Sequence, residues 1–496
     1  MMMRRQNLVI LLLLLCVVVG RAGMPVSGSQ EALVQIRNDL DYIFSDPSFS
    51  AAHWGVAIQS AQTGEYFYLR NENKAFMPAS NMKLFTTAAA LLGLGSEYRF
   101  VTRLVAHGLI TTDGVLEGDL IIRGCGDPSI SGRWENDKIT AVFERWADSL
   151  RVRKITTIAG KVIGDGRYFT DSRIGSGWAW DDLTDYYSAQ ISALTFNDNC
   201  VDIVFNPGDS LGALARYALY PNTAYVQIVS RVRTDQRTRL SFWRDPGSNK
   251  IFCDGTIGLK TKDRRDWITV ENPAKYAATV LREILLSRGI RVLEEAFEIE
   301  ELPGYLPIEY KTVQLASHTS PPLSEIVREV NKNSNNLFAE LLLRTVGREL
   351  MQDGSAAGGE KAAKQLFEAA GITPDMFYAA DGSGLSRQDL VSPMSVIRLL
   401  RYMHEQTAGQ SFFDSLPVAG VDGTLKGRMR GTAAKGTVHA KTGFIGRVRA
   451  LSGYVTTKDN ELLVFSMIVN NYSVPTGTAN HLQDLVCERL ANFTRK

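Results

Sequence analysis

The chain has 496 residues, 45% of them hydrophobic and 22% charged, with 55 basic against 53 acidic side chains and a formal net charge of +2. That length exceeds one simple core and implies two or three domains. The composition excludes a disordered, collagen-like or polytopic membrane chain. With charges of both signs interspersed and no basic arm, nucleic acid is not an expected partner.

The first residues are informative. Arg4 and Arg5 precede an apolar run from Leu8 to Gly20, and Gly20 and Ala22 form a small-x-small pattern. The run falls short of the roughly 20 apolar residues of a membrane span. Residues 1–22 read as a cleaved secretory signal peptide, which implies a secreted, periplasmic protein with no stable membrane span. Leu15, not a small residue, precedes Cys16, which argues against lipidation. Cys125, Cys200, Cys253 and Cys487 would remain in the mature chain. None sits in a Cys-x-x-Cys, so a metal site is not expected. An oxidising compartment permits a disulfide, with Cys200–Cys253 as the expected pair and buried free thiols as the alternative.

In chain order, Trp54 to Leu69 reads as two strands around a Gln-Thr-Gly turn. The stretch MPASNMKLFTTAAALLGLG, Met77 to Gly95, follows as a helix with no charge from Leu84 to Leu92. Pro78 and Ser80 suit its start and Gly93 its C′ position. Ser80 and Lys83, three apart, share one face. A lysine on a buried helix is costly unless paired or neutral. The plainer alternative is a snorkelling Lys83 beside an N-capping Ser80.

From about Phe100 to Val270 the chain turns to short β-like runs, among them VLEGDLIIRG, ITTIAGKVIG, AYVQIVSRV, RLSFWRD and DGTIGLKT. A helix then opens with Asn272 as N-cap and Pro273 at N1, and closes at Gly289. The region SPPLSEIVREVNKNSNNLFAELLLRTVG reads as two helices broken by the polar knot Asn331 to Asn336. SPMSVIRLLRYM is a further helix. VHAKTGFIG, RALSGYVTT and ELLVFSMIVNN are three successive strands, and an amphipathic helix ends the chain. The strands and helix at the start would thus rejoin α/β material at the end, with a β-rich insertion between them.

A serine nucleophile needs a base in reach and donors for the oxyanion. His53, His107, His318, His404, His439 and His481 are scattered and suggest no base. The stretch ADGSGLS is not a nucleophile elbow, because Asp381 stands where the first glycine is needed. No His-Glu-x-x-His, Walker loop or Gly-x-Gly-x-x-Gly occurs. A Ser-Lys arrangement remains. Ser334-Asn335-Asn336 supplies a Ser-x-Asn on the loop between helices, and Lys441-Thr442-Gly443 opens a strand. Each alone could be a polar turn or an edge-strand lysine.

Together and in order, Ser-x-x-Lys, Ser-x-Asn and Lys-Thr-Gly are the signature by which penicillin-binding proteins and serine β-lactamases are recognised. Through RGCGDPSISG, GWAWDDLTDYYSA, ADGSGLSR and SLPVAGVDGTLKGRM as well, the chain resembles the D-alanyl-D-alanine carboxypeptidase/endopeptidases of the low-molecular-mass class C penicillin-binding proteins. The resemblance covers nearly the whole mature chain. It implies an α/β (α+β) penicillin-binding, serine β-lactamase-like transpeptidase domain, residues 30–98 with 305–496. The β-rich insertion, 99–304, would form two subdomains.

The resemblance further implies that Ser80 attacks the carbonyl between two terminal D-alanines of a peptidoglycan stem peptide, with a neutral Lys83 as base. Burial and the nearby Lys441 would favour that neutral form. The backbone N–H groups of Ser80 and Phe444 would hold the oxyanion. Ser334 would pass a proton to the leaving amine, and Asn336 would hold Lys83 and the substrate amide. Lys441 and Thr442 would bind the terminal carboxylate on a strand continuing through Gly443 and Phe444. Asp182 and Arg387 match positions used around the cleft, or else form a salt bridge or turn-stabilising pair. β-Lactams would be covalent inhibitors and no cofactor is implied. A homodimer is compatible with the chain. Family members often carry a hydroxyl residue where this chain has Phe444, which leaves carboxypeptidase against endopeptidase preference open. The rival readings are a secreted serine β-lactamase, disfavoured by the lack of a Glu-x-x-Leu-Asn element, and a non-catalytic wall-binding protein.

Overall fold

The computed structural model describes residues 28–305 and 312–496; the expected signal peptide lies outside them. Near-continuous apolar strands from both ends of the chain form one five-stranded antiparallel sheet. Its order is Val438–Ile445, Val448–Thr456, Leu462–Asn470, His53–Ser60 and Tyr66–Arg70. Strands this apolar must be covered on both faces. One face packs against the helices Gly28–Phe44 and Thr476–Ala491 through Leu40, Leu451, Phe465 and Val486. The other packs against Met82–Leu94, Leu323–Asn333, Asn336–Met351 and Pro393–His404 through Phe85, Leu342, Ile397 and Ile468. The strand that carries Lys441 is an edge of this sheet.

Between these halves lie a seven-stranded mixed sheet, a three-stranded sheet and a four-stranded sheet, which share one apolar core. The seven-stranded sheet takes Thr312–Thr319 as an antiparallel partner of Val101–Ile110. Its membership therefore runs past residue 304. The helix Pro273–Ser287 forms as its caps dictate: the Asn272 side chain accepts from the Lys275 N–H, and Gly289 follows at φ +81°. Among the described residues four α-helices were not anticipated: Gly28–Phe44, Ala141–Val152 within the β-rich region, Ala356–Phe367 and Gly409–Ser415.

Two expectations are corrected. The helix after Ser80 runs to Leu94 and ends at Gly95, φ +85°, not at Gly93. Gly93 serves packing instead, since a Cβ there would lie 2.8 Å from Leu350 Cδ1. Cys200 and Cys253 form no disulfide, and all four described cysteines are free thiols. Cys200 heads a strand of the three-stranded sheet and Cys253 lies within the four-stranded one. Both are buried in apolar surroundings, which suits small inert thiols. Among the described residues no helix is long and apolar enough to cross a membrane.

Candidate active site

Ser80 lies in a 3₁₀ turn, Ala79–Asn81, immediately before the helix Met82–Leu94. It does not cap that helix; its hydroxyl faces Lys83. The turn is tight, with Ala79 at φ +47°. Two glycines let other segments close on it. A Cβ on Gly384 would sit 1.8 Å from the Ala79 carbonyl oxygen, and one on Gly443 would sit 2.7 Å from that of Pro78. The Asn81 side chain, buried below the turn, donates to the Lys441 carbonyl at 2.9 Å. The serine turn and the Lys441 strand are thereby fixed to each other.

Lys83 is fully buried. Its Nζ meets Ser80 Oγ at 2.9 Å, Asn336 Oδ1 at 2.7 Å and the Ser383 carbonyl oxygen at 2.6 Å. The Asn336 amide is oriented by its own donation to the Tyr187 carbonyl at 2.7 Å. Two of the three partners of Lys83 can therefore only accept. A neutral amine has two N–H groups and one lone pair, so those protons go to the two carbonyls and the lone pair faces the Ser80 hydroxyl. Burial pushes the Lys83 ammonium down to about 7, against the opposing pull of Asp381, Glu340 and Asp389. Across the cleft Lys441 Nζ donates to Ser334 Oγ at 2.8 Å. Ser334 closes the helix Leu323–Asn333 in the left-handed conformation, φ +59°. Burial, and then Lys83, hold Lys441 well below the usual lysine range.

The site thus brings Ser80, Lys83 and Asn336 into one set of contacts and Ser334 with Lys441 into a second, the two tied by the Asn81 bond to the Lys441 carbonyl. Ser334 and Asn336 come from the break between two helices, which falls at Ser334–Asn335, tighter than the expected knot. Thr442 donates its hydroxyl to that of Thr424 at 2.8 Å. Phe444 is 55% exposed. Its strand turns through Gly446–Arg447, so Ile445 and Val448 are the closing hydrogen-bonded pair and Phe444 with Arg449 the next, non-bonded one. The Phe444 N–H consequently points to the open edge of the sheet. Asp182 accepts from the Tyr187 hydroxyl at 2.8 Å, and Arg387 donates to the Gly446 carbonyl at 3.1 Å. They do not pair with each other, and each braces a turn at the rim.

Several contributors were not legible as such. Glu340, buried beneath the site, accepts from the N–H groups of Gly382 and Ser383 and pairs with Arg344 at 2.8 Å. Asp381 accepts from the N–H groups of Ser383, Gly384 and Ser386. It also accepts from Trp178 Nε1 at 2.9 Å, which ties the insertion to this loop. The motif ADGSGLSR was the available signal, but sequence gave no hint that it presents a carbonyl to Lys83. A cavity of about 340 Å³ opens beside Ser334 and Asn336, walled by Tyr187 and Trp267 of the insertion.

A buried Ser-Lys pair joined to a second Ser-Lys pair, on a sheet covered by helices on both faces, defines a serine hydrolase of the penicillin-binding and β-lactamase-like class. A family model, D-Ala-D-Ala carboxypeptidase 3 (S13), matches residues 36–491. The chain belongs to that family of serine-type D-Ala-D-Ala carboxypeptidases. It is 33% identical over 495 residues to the D-alanyl-D-alanine carboxypeptidase of Actinomadura sp. (strain R39), covering 96% of this chain and 88% of that protein. It is 28% identical over 413 residues to the D-alanyl-D-alanine carboxypeptidase DacB of Haemophilus influenzae, covering 81% and 82%. The crystal structure of penicillin binding protein 4 (dacB) from Haemophilus influenzae shares the fold, with a TM-score of 0.77 at 24% identity over 92% of this chain and 99% of that one.

Proposed function

We propose that Ser80 is the nucleophile and Lys83 its general base in the cleavage of D-alanyl peptides of peptidoglycan. The observation that carries this is the partner set of Lys83: two carbonyl acceptors and one hydroxyl, which leaves the lone pair of the neutral amine nowhere to face but Ser80. Lys83 takes the Ser80 proton as Oγ bonds to the penultimate D-alanine carbonyl carbon. The oxyanion is held by the N–H groups of Ser80 and Phe444, the latter directed to the open strand edge. The C–N bond then breaks as the leaving amine receives, through Ser334, which Lys441 orients, the proton that Lys83 took from Ser80, so that Lys83 is neutral again. Water attacks the resulting ester, giving its proton to Lys83, and releases the acid with Ser80 restored. Asn336 fixes Lys83 through Oδ1, and Thr442 meets the terminal carboxylate.

Residues 1–22 would direct export to the periplasm, where stem peptides lie. The peptidase unit would comprise 30–98 with 320–496, because Thr312–Thr319 pairs into the seven-stranded sheet of the insertion. The insertion, 99–319, would wall the cleft through Trp178 and Tyr187, whose contacts reach Asp381 and Asn336. β-Lactams would acylate Ser80.

Intact-mass measurement after incubation with benzylpenicillin, beside Ser80→Ala, tests the assignment. A persistent adduct of one drug mass, absent from the variant, is expected. An adduct retained in Ser80→Ala overturns the nucleophile. Drug hydrolysed with no adduct makes the protein a β-lactamase, and drug left intact with no adduct makes it a binding protein.

A further inference from the structure

Several arginines packed around the central sheet are matched to acids. Arg428 pairs with Asp484, Arg344 with Glu340 and Asp171, and Arg495 with Glu461 and Glu65. Arg449 is half-buried, and no carboxylate pairs with it among the described residues. Its Nε is buried without a hydrogen-bond partner. Its Nη1 makes a long contact, 3.4 Å, with the Gly443 carbonyl. The charged side chain acting on it is Arg428, which repels it. A half-buried guanidinium with an unpartnered Nε and no anion is costly, and it stays charged at any working pH.

The location gives that charge a use. Arg449 stands opposite Phe444, with its guanidinium 4.6 Å from the centre of the Phe444 ring. Side chains alternate along a strand, so Thr442, Phe444 and Arg449 share one face of the sheet. Thr442 is the diagonal neighbour of Arg449, at the roughly 7–8 Å spacing that a long side chain spans. The Thr442 hydroxyl is joined to that of the exposed Thr424. Two hydroxyls beside a permanent cation are the chemistry of carboxylate recognition. Lys441 is a poor substitute, because it is buried and already committed to Ser334.

We propose that Arg449, with the hydroxyls of Thr442 and Thr424, receives the free C-terminal carboxylate of the substrate, replacing the contact that Phe444 cannot make. The assignment rests on the reading of Ser80 as nucleophile given above. Its consequence is a preference for peptides ending in a free D-alanine carboxylate over internal or blocked D-alanyl bonds.

The test compares second-order acylation by benzylpenicillin and by its methyl ester, read by intact mass, in wild type, Arg449→Gln, Arg449→Lys and Thr424→Val. The acid-to-ester rate ratio is expected to fall at least tenfold in Arg449→Gln, to recover in part in Arg449→Lys, and to fall about threefold in Thr424→Val. Thr424 is exposed, so that variant carries the test if the arginine variants do not fold. Acylation with ratios within twofold of wild type overturns the carboxylate receptor alone. No acylation of wild type by either compound overturns the nucleophile assignment and the receptor with it.

Discussion

Lys83 Nζ meets the backbone carbonyl of Ser383 at 2.6 Å, a contact across 300 residues that decides how the amine presents itself to Ser80. The carbonyl is held there from below, by Glu340 and Asp381 gripping the N–H groups of its loop. Two carbonyl dipoles, one from the Ser383 backbone and one from the Asn336 side chain, and not a carboxylate in direct contact, hold two protons of the amine. That leaves a base that loses its third proton readily.

The pH dependence of acylation follows from this arrangement. Lys83 titrates near 7, and only its neutral form accepts the Ser80 proton. The second-order rate with benzylpenicillin should therefore fall about tenfold per pH unit below 7 and level off above it. Stopped-flow or mass-based rates between pH 5 and 9 would show this, and a flat profile through 7 would remove Lys83 as the base.

Asp381 and Asp389 should respond oppositely to the same substitution. Asp389 is buried and faces Asp381. Burial and that neighbour raise it well above the usual carboxylate range, while its Oδ2 has no hydrogen-bond donor. That direction favours the protonated carboxyl in the fold, so Asp389→Asn should preserve both shape and charge and change unfolding free energy by about 1 kcal/mol or less. The sign of its linkage is checkable. The folded form keeps a proton that the unfolded form releases above about pH 4, so Asp389 makes stability fall as pH rises, and the asparagine variant loses that contribution. Asp381→Asn instead places an amide where four donors converge and should cost about 3 kcal/mol or more. Denaturant unfolding at pH 5 and 8 separates the two, and equal losses would be evidence against a neutral Asp389.

Gly384→Ala probes the closure of the loop on the turn that carries Ser80. Its Cβ would overlap the Ala79 carbonyl oxygen at 1.8 Å, and φ at +81° is itself unfavourable for alanine. The serine turn must yield, so acylation should drop more than tenfold, with stability lost on the order of 1–3 kcal/mol. Gly477→Ala, with nothing within 4 Å of the added atom, is the control. Equal acylation rates for the two variants would show that the turn tolerates displacement.

Much of this site is legible where the information is local. Ser80 and Lys83 meet because three residues make most of a helical turn. Asn272 and Gly289 bound their helix through cap chemistry that any chain would obey. The helix break at Ser334–Asn335 is visible as a polar run between apolar ones. Local signals also mislead, since Gly93 and Gly95 are equally plausible as a helix end. Only the packing of Leu350 against Gly93 separates them. Ala141–Val152 was hidden because its surroundings are β-rich. The pairing of Cys200 with Cys253 failed because spacing in sequence carries no information about which sheet each strand joins.

The sequence by itself determined the order of the elements, the Ser80–Lys83 pair, and the motifs that carry Ser334, Asn336 and Lys441. Those depend on turns, caps and periodicity, which act over a few residues. The tertiary structure decided what each group does. The lone pair of a neutral Lys83 is turned to Ser80 because Ser383 and Asn336 arrive from 300 and 253 residues away. Asn336 is oriented by Tyr187 of the insertion, and Arg449 is left without an acid beside Phe444. Burial and partner geometry are properties of the assembled core, and no local pattern encodes them.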